Sequence, residues 1–226
     1  MGTEQAVTLP DSRSGEHGAA QAMQADHDVE VDDSDELERD VVSGALHYLI
    51  RAIVPGDAYM LAAFHAHLSP ESRYLRFFSY HPVLSQAELH RFTHVDYDRR
   101  LALVAIADDR IIGVGRYERQ PRTSDAEVAF VVADEFHHHG IATVLLDQLV
   151  LAARRRGITA FVAQTMWENH DMLAVFIHSG FDVVRSYEGG VVTLRFPIGQ
   201  TPRSRSAIAL RDATRRVTRH DAAAPT

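Results

Sequence analysis

The chain has 226 residues, 46% of them hydrophobic, which is room for one well-filled domain with terminal extensions. The absence of cysteine excludes a disulfide framework, a thiolate nucleophile and a cysteine-based metal site. A net charge of −8 argues against non-specific nucleic-acid binding by the whole chain.

No uninterrupted apolar run is long enough to span a bilayer, and Met1–Ala6 lacks the basic-then-apolar order of a signal peptide. The expectation is a soluble cytoplasmic protein with no membrane partner. Charge is unevenly placed: Asp26–Asp40 is acidic and Arg203–Arg219 is arginine-rich. All 23 basic residues are arginine. The chain therefore carries no lysine side chain.

In chain order, residues 1–44 are rich in Gly, Ala, Gln, Ser and acids, and are too poor in large apolar residues to offset their ordering entropy. They read as a disordered acidic segment. Leu46–Ile53 is the first expected strand, followed by a turn at Val54–Asp57. Ala58–His67 is expected as a helix, and Ser69-Pro70-Glu71 starts a second with proline in its first turn. Ser85–Phe92 is a third. Leu101–Ala107 and Ile111–Arg119 flank a hairpin turn at Asp108-Asp109-Arg110.

Ala126–Ala133 is the next strand. Gly140–Arg156 is an amphipathic helix with Ile141, Leu145, Leu149 and Ala153 at helical spacing, closed by Gly157. Ala160–Met166 is a strand and Asp171–Ser179 a helix. Phe181–Ser186 and Val191–Phe196 pair across Glu188-Gly189-Gly190. The order is a mixed α/β sheet with a late hairpin. The core pattern stops after Pro197, which sets domain limits of about 45–199 and leaves 200–226 as an Arg-rich tail. Within it, Ala207–Thr218 reads equally as a short helix or as mobile chain.

The stretch from Ala126 to Ala153 is the most informative. An apolar strand runs through Glu127 into the turn His137-His-His-Gly-Ile-Ala-Thr143, and the turn opens a helix. Unpaired N–H groups and the positive dipole end make such a turn an anion site, usually for phosphate. Three histidines in a row also suggest a metal. Neighbours on a turn converge poorly on one ion, however, and no cysteine or acidic cluster completes a set, so the phosphate reading is preferred.

His137-x-x-Gly140-x-Ala142 resembles the Gln/Arg-x-x-Gly-x-Gly/Ala acetyl-CoA signature of the GNAT N-acetyltransferase superfamily. Trp167–Phe181, with Asn169 near its start and Gly180-Phe181 at its end, resembles the Asn…Gly-Phe element of the same superfamily. Ile50–Asp57 and Leu68–Phe78 are similar to the branch containing bacterial protein-lysine acetyltransferases. The resemblance spans roughly residues 46–198. It implies the GNAT fold, a mixed and mostly antiparallel sheet flanked by helices with a C-terminal β-hairpin. It also implies acetyl-CoA as co-substrate and no metal.

On that resemblance, backbone N–H groups of His138, His139, Gly140, Ile141, Ala142 and Thr143 hold the pyrophosphate. His137 stands where Gln or Arg usually sits. Asn169 contacts the cofactor, or alternatively caps the following helix. An N–H of Val131 or Val132 polarises the thioester carbonyl. Glu127 is the expected general base, a carboxylate among apolar strand neighbours whose partial burial would suit it to take a proton. The alternative is a structural glutamate paired with Arg116.

One departure is Phe176, where many members carry a tyrosine general acid; His178 is nearby in sequence. Arg73–Phe78 and Thr93–Tyr97 are candidate acceptor walls. Arg73 and Arg76 either steer an acidic acceptor or point to water above a buried Leu75 and Phe78.

Direct attack by an amine in a ternary complex is expected, since no cysteine can carry an acyl group. The acceptor implied by the branch is a protein lysine. A small-molecule amine is the second reading, and a non-catalytic acyl-CoA sensor or interaction module the third. The sequence leaves oligomeric state unknown.

Overall fold

A computed structural model of the chain describes residues 37–219. The expectation of disorder for 1–36 lies outside these residues. The elements are β1 (Arg39–Ser43), β2 (Leu46–Ala52), α1 (Ala58–His67), α2 (Pro70–Phe77), α3 (Gln86–Thr93), β3 (Arg100–Ala107), β4 (Arg110–Arg119), β5 (Asp125–Val132), α4 (Ile141–Arg155), β6 (Ala160–Met166), α5 (His170–Ile177), β7 (Val184–Glu188), β8 (Val191–Pro197), α6 (Pro202–Thr214) and β9 (Arg216–Arg219). Among the described residues no helix is long and apolar enough to cross a membrane.

The strands form one sheet in the order β7-β8-β6-β5-β4-β3-β2-β1-β9. Neighbours are antiparallel except for β5 and β6, which run parallel. Each face carries its own core. On one, α4 lies against β3 to β5, with Leu145, Leu146, Leu149 and Val150 buried among Leu101, Leu103, Val128 and Phe130. On the other, α1 and α3 bury Leu61, Phe64 and Leu89 against Ala102, Val104 and Ile111.

Alternation along β5 follows from this two-sided burial. Ala126, Val128, Phe130 and Val132 are buried, whereas Glu127 is exposed and Ala129 and Val131 are half-buried. α4 comes close because β4 has glycine where the helix crosses it. A Cβ on Gly113 would meet Ile141 Cγ2 at 2.9 Å, and one on Gly115 would meet Leu145 Cβ at 3.2 Å.

Three expectations are corrected. The segment read as disordered to residue 44 already contains β1, whose Val41 is buried and pairs with Tyr48 of β2. Two buried apolar residues, Leu37 and Val41, suffice to seat a strand on an existing edge. The Arg-rich tail folds onto the domain: α6 starts at proline behind the Thr201 cap, and β9 pairs with β1. The C-terminal hairpin begins at Val184, later than expected, with Gly189 and Gly190 both at positive φ in its turn.

α6 is held by a buried ion pair. Arg211 donates to both carboxylate oxygens of Asp147 in α4, at 2.8 and 2.6 Å, and to the Ser179 carbonyl at 3.1 Å. Burial pushes the Asp147 carboxyl up, against the opposing pull of Arg211. Gly180 admits the helix, because Ala207 Cβ occupies the space a side chain there would need.

Candidate active site

β5 and β6 pair through Asp125↔Ala160, Ala126↔Phe161 and Glu127↔Val162, and then separate. Beyond Glu127 the β5 edge has no strand partner on the β6 side. Alternate main-chain N–H and C=O groups on such an edge face the gap and need acceptors and donors from elsewhere. The gap is a V with Glu127 at its apex and the start of α4 at its mouth. It opens into a cleft of about 680 Å³ lined by β5, β6, α2, α5 and the α4 turn.

The turn is shaped by Gly140, the N-cap of α4, at φ +73. No side chain caps the helix. Thr143 and Val144 donate to the Gly140 carbonyl at 3.1 and 3.2 Å. The amides of Ile141 and Ala142 are thus left as first-turn donors without a carbonyl behind them. The Thr143 N–H is engaged within this first turn, and the residue lines the cleft.

The histidines diverge. His137 turns back, with Nε2 3.0 Å from the Val132 carbonyl oxygen. His138, at φ +63, reaches toward Asp171 at 3.7 Å. His139 places Nδ1 2.9 Å from the His137 carbonyl and its ring edge-on to Phe136. Val131, Val132, His137, His138, Gly140, Ile141, Ala142, Thr143 and Asn169 line the cleft, and His139 lies beside it. Asn169 caps α5, its Oδ1 accepting from the Met172 amide at 3.1 Å.

Glu127 is exposed and forms no ion pair among the described residues, so the expected partial burial is absent, as is the structural pairing with Arg116. Arg116 instead lies over the Phe92 ring, 4.3 Å from its centroid. Arg76 lines the cleft near Glu127 and makes no hydrogen bond among the described residues. Burial, with Arg116 adding to it, pulls its guanidinium down to about 9, still cationic at neutral pH. The charge of Glu127 opposes that pull on both arginines.

α2 differs from either expectation. Leu75 and Phe78 line the cleft, Arg76 faces inward, and Arg73 donates to the Pro82 carbonyl at 3.3 Å. Asp134 fixes α2 beside β5 by accepting from Ser69 N, Ser69 Oγ and Ser72 Oγ at 2.7–2.8 Å. Thr93–Tyr97 is structural and does not line the cleft. Thr93 is buried, bonded to the Leu89 carbonyl, and Tyr97 Oη donates to the Ile53 carbonyl.

Phe176 is buried between Phe130 and Phe196 in the cleft floor, and His178 lies on the rim. Residues that sequence reasoning missed are Thr165, Arg211 and Arg215. Thr165 Oγ1 is buried in the wall without a partner. Nothing in the local pattern around Thr165 marks it. The two arginines were visible as part of a basic run, but nothing in that run says where it folds.

The profile of the acetyltransferase (GNAT) family matches residues 62–181. The chain belongs to the GNAT acetyltransferase family. Acetyltransferase Pat of Mycolicibacterium smegmatis is 30% identical over 178 residues, covering 76% of this chain. The chain spans 53% of that relative's length. The GNAT domain of S. lividans PAT superposes with a TM-score of 0.68 at 37% identity, covering 72% of this chain and 97% of that domain. A putative acetyltransferase of Salmonella typhimurium, solved with its cofactor acetyl-CoA, shares the fold with a TM-score of 0.56 at 16% identity, covering 69% of this chain and 96% of that one. The sheet order, the parallel β5–β6 pair and the late β7–β8 hairpin are those of a GNAT fold, as the resemblance implied.

Proposed function

We propose that this GNAT acetyltransferase uses acetyl-CoA to acetylate an amine, by direct attack, with Glu127 as general base and a protein lysine as acceptor. The observation that carries the reading is the V between β5 and β6, with an exposed carboxylate at its apex and an uncapped helix N-terminus at its mouth. The chain's own groups fit the co-substrate. Ile141 and Ala142 offer amides to a phosphate, the free β5 edge offers donors and acceptors to an amide-containing arm, and Thr165 offers an unpartnered hydroxyl.

Acetyl-CoA, when bound, supplies an activated acyl group and a thiolate leaving group. Glu127 takes the proton of the incoming ammonium directly or through water, and its exposure leaves a path for that water. The β5 amide at Val132, which faces the gap while that of Val131 faces β4, polarises the acyl oxygen, with the backbone held by pairing to β4 at Gly113. Phe176, at the tyrosine's position, cannot donate a proton, and the thiol is acidic enough to leave as thiolate.

The protein-lysine acceptor rests on the likeness to Pat and PAT. Arg76 and Arg116 add a feature of the acceptor side, two cations without carboxylate partners among the described residues, suited to acceptors that carry an acidic neighbour. The test is incubation of the purified protein with radiolabelled acetyl-CoA and a cell lysate. Labelled protein is the expected result. Label confined to small molecules would favour the small-amine reading, and no transfer despite CoA binding would favour a non-catalytic module.

A further inference from the structure

Arg215 ends α6 as its C-cap and immediately precedes β9. It is fixed from both sides. One turn earlier Arg211 is bound to Asp147, and two residues later Val217 pairs with Val41. The segment thereby lays the Arg215 guanidinium directly over Gly140, in the space a side chain there would occupy, with Nε 2.9 Å from the position of such a Cβ. Arg215 also lines the cleft.

Among the described residues Arg215 makes no hydrogen bond and no ion pair, and its Nη1 is buried without an acceptor. The charges of Asp147 and Asp212 reach it, yet both Asp147 oxygens are bound by Arg211. Leaving a buried guanidinium N–H unpaired is costly, and an anion at this point would satisfy it. At the same point the amides of Ile141 and Ala142 lack acceptors. Side-chain donors from one element and backbone donors from another therefore converge on the turn.

We propose that Arg215 binds a phosphate of the CoA co-substrate at the α4 turn, which makes the C-terminal segment part of the cofactor site. This rests on the acetyl-CoA reading above and extends it to residues outside the stretch matched by the family profile. The diphosphate and the 3′-phosphate of CoA share the chemistry that a guanidinium recognises.

The test is calorimetric titration of the full chain with CoA and with 3′-dephospho-CoA, comparing wild type, Arg215→Ala, Arg215→Lys and the control Arg216→Ala. Thermal melts of each establish that the variants are folded. Arg215→Ala is expected to weaken CoA about tenfold or more, the scale of one charge-assisted hydrogen bond. Arg215→Lys should recover part of the loss, and Arg216→Ala should bind as wild type. A loss that persists with 3′-dephospho-CoA assigns the contact to the diphosphate, and a loss that disappears assigns it to the 3′-phosphate.

Wild-type affinity in folded Arg215→Ala overturns the proposal. Tighter binding overturns it as well, because Arg215 would then be a plug over the turn. If the wild type itself fails to bind CoA, the acetyl-CoA reading falls together with this inference. CoA binding that is blind to Arg215 removes this inference alone.

Discussion

Asp57 and Asp134 hold the acceptor side together as carboxylates. Asp57 is buried and accepts from Arg51 Nη1 and Nη2 at 2.7 Å and from the Val54 amide at 2.9 Å. Burial alone would push both carboxyls up, but hydrogen bonds from Arg51 and Val54 in one case, and from Ser69 and Ser72 in the other, bring them below the ordinary value of 3.8. A folded pKa below the unfolded one means that the folded state binds fewer protons. Their stabilisation is therefore complete above about pH 5 and lost as the pH falls through 4 and below. Urea midpoints across pH 3–7 should show this decline. Asp57→Asn should lower stability at neutral pH by about 1–3 kcal/mol and flatten the acid slope. An unchanged slope would mean the pair contributes nothing. Neither role is legible in the sequence, where Asp57 reads only as the end of a turn and Asp134 not at all. Glu127 shows the converse. Its place on β5 was legible from the apolar run around it, but not its exposure, because period-two alternation puts Val128 and Phe130 on the opposite face.

Elements with strong local signals were legible and those made by docking were not. α1 falls where its flanking turns place it, β6 where its apolar run does, and α2 behind its Ser69 cap. β1 and β9 are short strands at one end of the sheet, with β9 at the edge, and they exist by pairing on β2 and on each other. α6 has few apolar residues and depends on the Arg211–Asp147 pair, whose partners are far apart in sequence. Arg211→Ala leaves Asp147 buried without its cation, a loss of about 3–5 kcal/mol in the unfolding free energy. Arg211→Met with Asp147→Leu removes the charge and the partner together and should recover most of that loss. Denaturant unfolding of the two variants and wild type tests this. If Arg211→Ala costs less than about 1 kcal/mol, α6 does not depend on the pair. The domain limits of 45–199 read from the sequence leave out elements that pack on the sheet. A chain cut there lacks β1, α6 and β9, and should be markedly less stable than one spanning 37–219.

For the molecule as a whole, the fold and family were legible because a chain of strong elements in a fixed order leaves few ways to close the sheet. The site was legible where it is local, at the turn before α4, and not where distant segments meet. Arg76 enters from α2, Thr165 from β6 and Arg215 from beyond the hairpin, and no local spacing relates them. The parallel β5–β6 junction organises all of them, since its separation past Glu127 creates both the cleft and the free strand edge. The carboxylate at that junction is, on the proposed function, the base for acetyl transfer. The most direct measurement is the pH dependence of label transfer from radiolabelled acetyl-CoA to lysate protein by wild type and Glu127→Gln, with CoA affinity measured alongside. General base catalysis contributes a factor of roughly 10²–10⁴, so kcat should fall within that range while CoA affinity is kept, and the acidic limb of the profile should vanish. A Glu127→Gln enzyme with wild-type kcat across the pH range would show that Glu127 is not the base.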